Sequence, residues 1–231
     1  IWVPTPKSLV EKMLKMADVK PTDVVFDLGS GDGITVITAA KQFGVRATGI
    51  EFNPDMVELS KRNAQREGVA DKAQFIRGDI FATDFSKATV VTMYLLPYLN
   101  LKLRPTILNM KPGTRVVSHA FTMDDWAPDQ TDSTEGRTAY MWIVPAKVEG
   151  NWKFDNGTLE LKQKFQDFDG VFRNGDGMSW RVTNTNLRGE QISFTVGAAI
   201  YTGRVSGPVM QGTMRSRTDA PATPWSATLV K

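Results

Sequence analysis

With 231 residues, 41% of them apolar and 23% charged, the chain can bury a core unaided and is too apolar for wholesale disorder. It has no cysteine and a single histidine, His119, which excludes disulfides, thiol nucleophiles, thiolate zinc and multi-histidine metal sites, so no metal is expected. The net charge is +3, with equal numbers of acidic and basic side chains over residues 1–145; this predicts no nucleic-acid partner, and no apolar run approaches a membrane span.

In chain order, Thr5-Pro6 reads as a helix cap with Pro at the first helical position. Leu9, Val10, Met13, Leu14 and Ala17 then recur at helical spacing. Residues 24–28 form a short apolar strand ending in clustered glycines, followed by a helix over 34–43 and a strand over 47–51. Asn53-Pro54-Asp55 opens a helix to about Glu67, its acid in the first turn suiting the helix dipole. Strands follow at 74–77, 89–94 and 115–120, with a helix over 99–110 before the last of them. Strands alternating with helices predict a doubly wound, mostly parallel sheet with right-handed crossovers. Residues 140–144 and 146–149 are expected to close it as an edge hairpin. Near residue 146 the texture changes: more than half of the 19 glycines lie beyond it and helical periodicity stops. Leu159, Leu161 and Phe165 alternate with Lys162 and Lys164, and turn signals recur, as in Asp155-Asn156-Gly157 and Asn174-Gly175-Asp176-Gly177. The prediction is two domains, 1–147 and 148–231, the second an antiparallel meander of about seven strands nearly closed into a small barrel.

The sharpest chemical signal is Asp27-Leu28-Gly29-Ser30-Gly31-Asp32-Gly33. A strand running into clustered glycines lets backbone approach a ligand at the carboxyl edge of the sheet. The dinucleotide fingerprint G-x-G-x-x-G fails, because Ile34 stands where its third glycine belongs. Asp27 at the strand end would repel a pyrophosphate but suits a cationic ligand. S-adenosylmethionine carries an ammonium, a sulfonium and a ribose. Glu51, ending the second strand, can accept both ribose hydroxyls, and Phe52 can pack on adenine. Asp79, after the third strand, can accept from the adenine amino group while Ile80 covers the ring.

These residues resemble class I S-adenosylmethionine-dependent methyltransferases. Val3-Pro4-Thr5-Pro6, the 27–33 loop, Gly49-Ile50-Glu51, Met93-Tyr94-Leu95-Leu96-Pro97 and Val117-Ser118-His119 are similar to a subgroup holding archaeal protein lysine methyltransferases and the mitochondrial enzyme that modifies a lysine of an ATP synthase subunit. The resemblance covers about residues 1–145. It implies that Asp27, Gly29, Ser30 and Gly31 line the methionine moiety, Glu51 the ribose, and Asp79 with Ile80 the adenine. It also implies that Thr5 closes over the cofactor and Tyr94 sits beside the methyl group. Tyr94 and His119, both at strand ends on the cofactor edge, are the candidate catalytic residues, His119 as a proton acceptor. The resemblance implies methylation of a protein lysine. The alternatives are a small-molecule N-, O- or S-acceptor and a binding module that keeps the cofactor fold without turnover. The second segment is similar to tail domains of some exported bacterial relatives. That and the absence of cysteine favour export, whereas cofactor supply favours the cytoplasm; a removed leader is an open expectation, since residue 1 is not Met.

Overall fold

Short β-branched runs such as Val24-Val25, Val90-Val91 and Val116-Val117 become the strands of one sheet. A computed structural model describes residues 2–231, which form two compact units, one ending at Ile143 and the other spanning Val144–Lys231. The first contains α1 (Lys7–Met16), β1 (Val24–Leu28), α2 (Ile34–Phe43), β2 (Arg46–Glu51), α3 (Pro54–Arg66), β3 (Ala73–Arg77), β4 (Val90–Met93), α4 (Pro97–Leu108), β5 (Arg115–His119), β6 (Gln130–Thr134) and β7 (Arg137–Ile143). The strand order is β3-β2-β1-β4-β5-β7-β6. The first five strands are parallel, and β7 alone runs against them, pairing antiparallel with β5 on one side and with the edge strand β6 on the other. The order reverses between β1 and β4, and at such a switch point the loops leaving the strands part and open a crevice. Leu9, Val10, Met13 and Leu14 of α1 share a buried core with Val36 and Ala39 of α2 and with Val25, Val90 and Val117 from the sheet. Among the described residues no helix is long and apolar enough to cross a membrane.

Two local expectations are corrected. The edge hairpin is not 140–144 with 146–149 but β6 with β7, because Glu135 and Gly136 both take left-handed backbone (φ 52° and 74°), as a tight two-residue hairpin turn requires. Thr5 does not cap α1. Pro6 holds the cap position, no side chain caps that end, and the Thr5 hydroxyl is bonded elsewhere. Asn53 does cap α3, its side chain accepting from Asp55 N at 2.9 Å.

The second unit is a nine-stranded antiparallel sheet of β8 (Gly150–Phe154), β9 (Gly157–Lys164), β10 (Asp167–Asn174), β11 (Ser179–Arg181), β12 (Thr183–Arg188), β13 (Gln191–Val196), β14 (Ala199–Ser206), β15 (Val209–Arg215) and β16 (Thr223–Val230). Its order is β11-β10-β9-β8-β16-β15-β14-β13-β12. Nine strands replace the expected seven; one of the two additional strands arises where Val182 alone separates β11 from β12. Val182 N donates to Gly170 O of β10 at 3.0 Å, which brings the two ends of the sheet close to closure. The interior is filled rather than hollow: Phe154 stacks on Trp225 at 5.4 Å and meets Phe172 edge-on, while Phe194 stacks on Tyr201 at 5.1 Å.

Candidate active site

The loop between β1 and α2 is anchored before any ligand is considered. Gly29 N and Ser30 N donate to Ile50 O at 2.8 and 3.1 Å, drawing the loop against β2. From α3, Ser60 Oγ donates to Gly31 O at 2.8 Å and Asn63 Nδ2 to Asp32 O at 3.0 Å. Glu51 Oε1 accepts from Gly31 N at 3.0 Å and its Oε2 from Asn53 N at 2.8 Å. Gly31 has φ +55°, and any side chain there would run into the Trp2 indole. Gly49 is glycine for a different reason: a Cβ on it would collide with the Ser30 side chain.

At the switch point a cavity of about 330 Å³ opens. Asp27, Gly29 and Ser30 wall it from β1 and its loop, Glu51 from β2, Met93 from β4 and Tyr94 from just beyond that strand, with residues 2–5 also among its walls. Asp27 is only 7% exposed, and Thr92 Oγ1, its register partner on β4, donates to Asp27 Oδ1 at 2.7 Å. Burial pushes this carboxyl up to about 7; the Thr92 hydroxyl opposes the rise, and the Glu51 and Asp32 charges add to it. A carboxyl kept near neutrality by burial and by other acids is one that a cation would stabilise. Ser30 Oγ, also buried, has no hydrogen-bond partner, which leaves a second polar group for a ligand to satisfy. The donors and acceptors therefore fit a cationic cofactor with a polar tail.

Thr5, Asp27, Gly29, Ser30, Glu51 and Tyr94 are thus brought to one cavity, with Gly31 beneath Trp2. Phe52, Asp79 and Ile80 do not wall it. Phe52 is 77% exposed. Asp79 opens a turn: its Oδ1 accepts from Phe81 N at 2.9 Å, and its carbonyl accepts from Thr83 N and Thr83 Oγ1. His119 is 1% exposed and does not itself wall the cavity, though Thr5 and Tyr94, which it touches, do. Its Nδ1 is 3.0 Å from Thr5 Oγ1 and its ring centroid is 3.8 Å from that of Tyr94. Burial and the Arg137 charge hold its imidazole down to about 4. Reasoning from sequence misses Trp2, Met13, Thr35 and Thr92. For Thr92 a signal exists: a hydroxyl in an otherwise apolar strand, in register with Asp27.

A doubly wound sheet with one strand, β7, reversed near its edge and a carboxylate-edged cavity at its switch point defines the S-adenosylmethionine-dependent methyltransferase class. The model of the ANTKMT methyltransferase domain matches residues 27–130. A protein-lysine N-methyltransferase from Saccharolobus islandicus is 42% identical over 149 residues, covering 62% of this chain and 92% of that protein. A lysine N-methyltransferase of Xenopus laevis, named for an ATP synthase subunit, is 36% identical over 170 residues, 70% of this chain and 68% of its own length. Among solved structures, an RNA methyltransferase from Salinibacter ruber in complex with S-adenosyl-L-homocysteine is 54% identical, covering 63% of this chain and 96% of that one, with a TM-score of 0.62. The chain belongs to the family of these protein-lysine N-methyltransferases. It is an S-adenosylmethionine-dependent methyltransferase.

Proposed function

We propose that the chain methylates the ε-amine of lysine on a protein. The observation that carries this reading is the likeness to the archaeal protein-lysine N-methyltransferase across nearly all of that protein's length. In this reading Asp27 holds the cofactor's ammonium, Gly29, Ser30 and Gly31 line its methionine moiety, and Glu51 accepts from the ribose. Phe52, Asp79 and Ile80, at the exposed ends of β2 and β3, take the adenine. When bound, the cofactor supplies a methyl group on a positively charged sulfur, an activated leaving group. The chain's own contribution is placement. Thr5 and the neighbouring residues shield the cavity from water, and Tyr94 fixes the approach of the acceptor at the end of β4. Holding the reactants in register supplies most of the acceleration. A lysine must lose its proton before it attacks, and an apolar wall such as that formed by Met13, Ile34 and Met93 favours the uncharged amine.

A second reading, RNA methylation, is favoured by the likeness to the Salinibacter ruber structure; the absence of net charge over residues 1–145 weighs against it. Incubation with methyl-labelled cofactor, a protein pool and an RNA pool separates the two. Label is expected in protein, recovered as methyl-lysine after hydrolysis and absent when lysines are acetylated beforehand. Label confined to RNA or to small molecules would refute the lysine reading.

A further inference from the structure

The buried His119 makes two contacts that the proton-acceptor role does not account for. Its Nδ1 meets the Thr5 hydroxyl at 3.0 Å, 114 residues away in the chain, and its ring lies against Tyr94 at 3.8 Å and 33°. The turn after β5 is built to hold it there. Ser118 Oγ donates to Phe121 O at 2.6 Å, Phe121 N donates to His119 O at 2.8 Å, and Ala120 takes left-handed backbone at φ 68°. That conformation is costly for a residue with a Cβ and persists only where its surroundings impose it. The same turn places Phe121 beside Tyr94, ring centroids 6.2 Å apart and 21° from parallel. An imidazole held down to about 4 is uncharged at neutral pH. It is then a weak base for an incoming ammonium but a good hydrogen-bond partner, and either neutral tautomer can pair with a hydroxyl.

We propose that His119 is a positioning residue: it fastens residues 2–5 over the cofactor cavity through Thr5 and sets the Tyr94 ring at the acceptor side, so that one ring couples closure to transfer. This rests on the site reading given above, and the experiment separates the failure of each. Three variants divide the two contacts. Thr5→Val removes the hydroxyl, His119→Phe keeps a ring without the nitrogen, and His119→Asn keeps a polar atom near Nδ1 without the ring. The dissociation constant for S-adenosylhomocysteine, read by calorimetry, should rise about 3- to 10-fold in Thr5→Val and in His119→Phe, the loss of one buried hydrogen bond. The double variant should be no worse than either single one, because both remove the same bond. His119→Asn should recover the affinity yet lose turnover about tenfold, through the loosened Tyr94 ring. Additive losses in the double variant, or undiminished affinity in Thr5→Val, would overturn the proposal. Thr5 lies outside the regular elements, so that variant remains decisive if His119 variants fold poorly. Normal affinity in His119→Phe with turnover lost 10²- to 10⁴-fold would return the residue to the role of proton acceptor. If the unaltered chain bound no S-adenosylhomocysteine, the site reading itself would fall.

Discussion

If the buried Asp27 carboxyl is there for a cation, binding of the cofactor should expel a proton. A carboxyl that titrates near 7 rather than at 3.8 favours its neutral form by about 4 kcal/mol. The sign follows from linkage: with respect to this group the unliganded chain is most stable below pH 3.8 and loses stability as pH rises through about 7. An ammonium beside the carboxyl reverses that preference. At pH 7 roughly half of the molecules carry the proton, so about half a proton should be released for each S-adenosylhomocysteine bound. Calorimetry in two buffers of different ionisation enthalpy reads this number. Asp27→Asn keeps an acceptor for Thr92 and removes the charge. It should weaken binding about 10- to 100-fold, a charge-assisted hydrogen bond being worth about 1.5–3 kcal/mol. The unliganded variant should nevertheless melt higher than the parent at pH 8. Identical binding enthalpies in both buffers from pH 6 to 8, or unchanged affinity in Asp27→Asn, would refute the reasoning.

Glu51→Ala should lower the melting temperature even without ligand, because Gly31 N and Asn53 N lose their acceptors, at a cost of about 1–3 kcal/mol; thermal denaturation of the unliganded variant checks this. His119 titrates near 4 instead of 6.5, so the unfolded chain takes up a proton across that range that the folded chain refuses. Stability should be full above pH 6.5 and fall as pH approaches 4, and urea unfolding of the parent and of His119→Asn should show a shallower fall in the variant.

Most of the sheet can be read from the chain because its signals are local. β1, β4 and β5 each hold a short apolar run, and Asp27 and Glu51 sit near the ends of β1 and β2. The hairpin of β6 and β7 is harder to see. Gln130–Thr134 is wholly polar, as an exposed edge strand can be, and Glu135-Gly136 is a turn without the usual Asn or Asp. The contact of Thr5 with His119 is out of reach for a different reason. It depends on which strands become neighbours, and no periodicity in either segment encodes that. Thr5 misleads for the same cause: next to Pro6 its hydroxyl has every local reason to cap a helix, and a distant imidazole takes it instead.

The two α3 side chains that grip Gly31 O and Asp32 O have a consequence for where the chain tolerates change. Ordering a residue costs about 1–2 kcal/mol, and here the glycine turn is ordered during folding rather than on encounter with a ligand. Ser60 and Asn63 belong to a helix that need not touch the reacting atoms, yet their loss would return that disorder to the turn and make each binding event bear it. A survey of variants that scored only the cavity walls would pass over them.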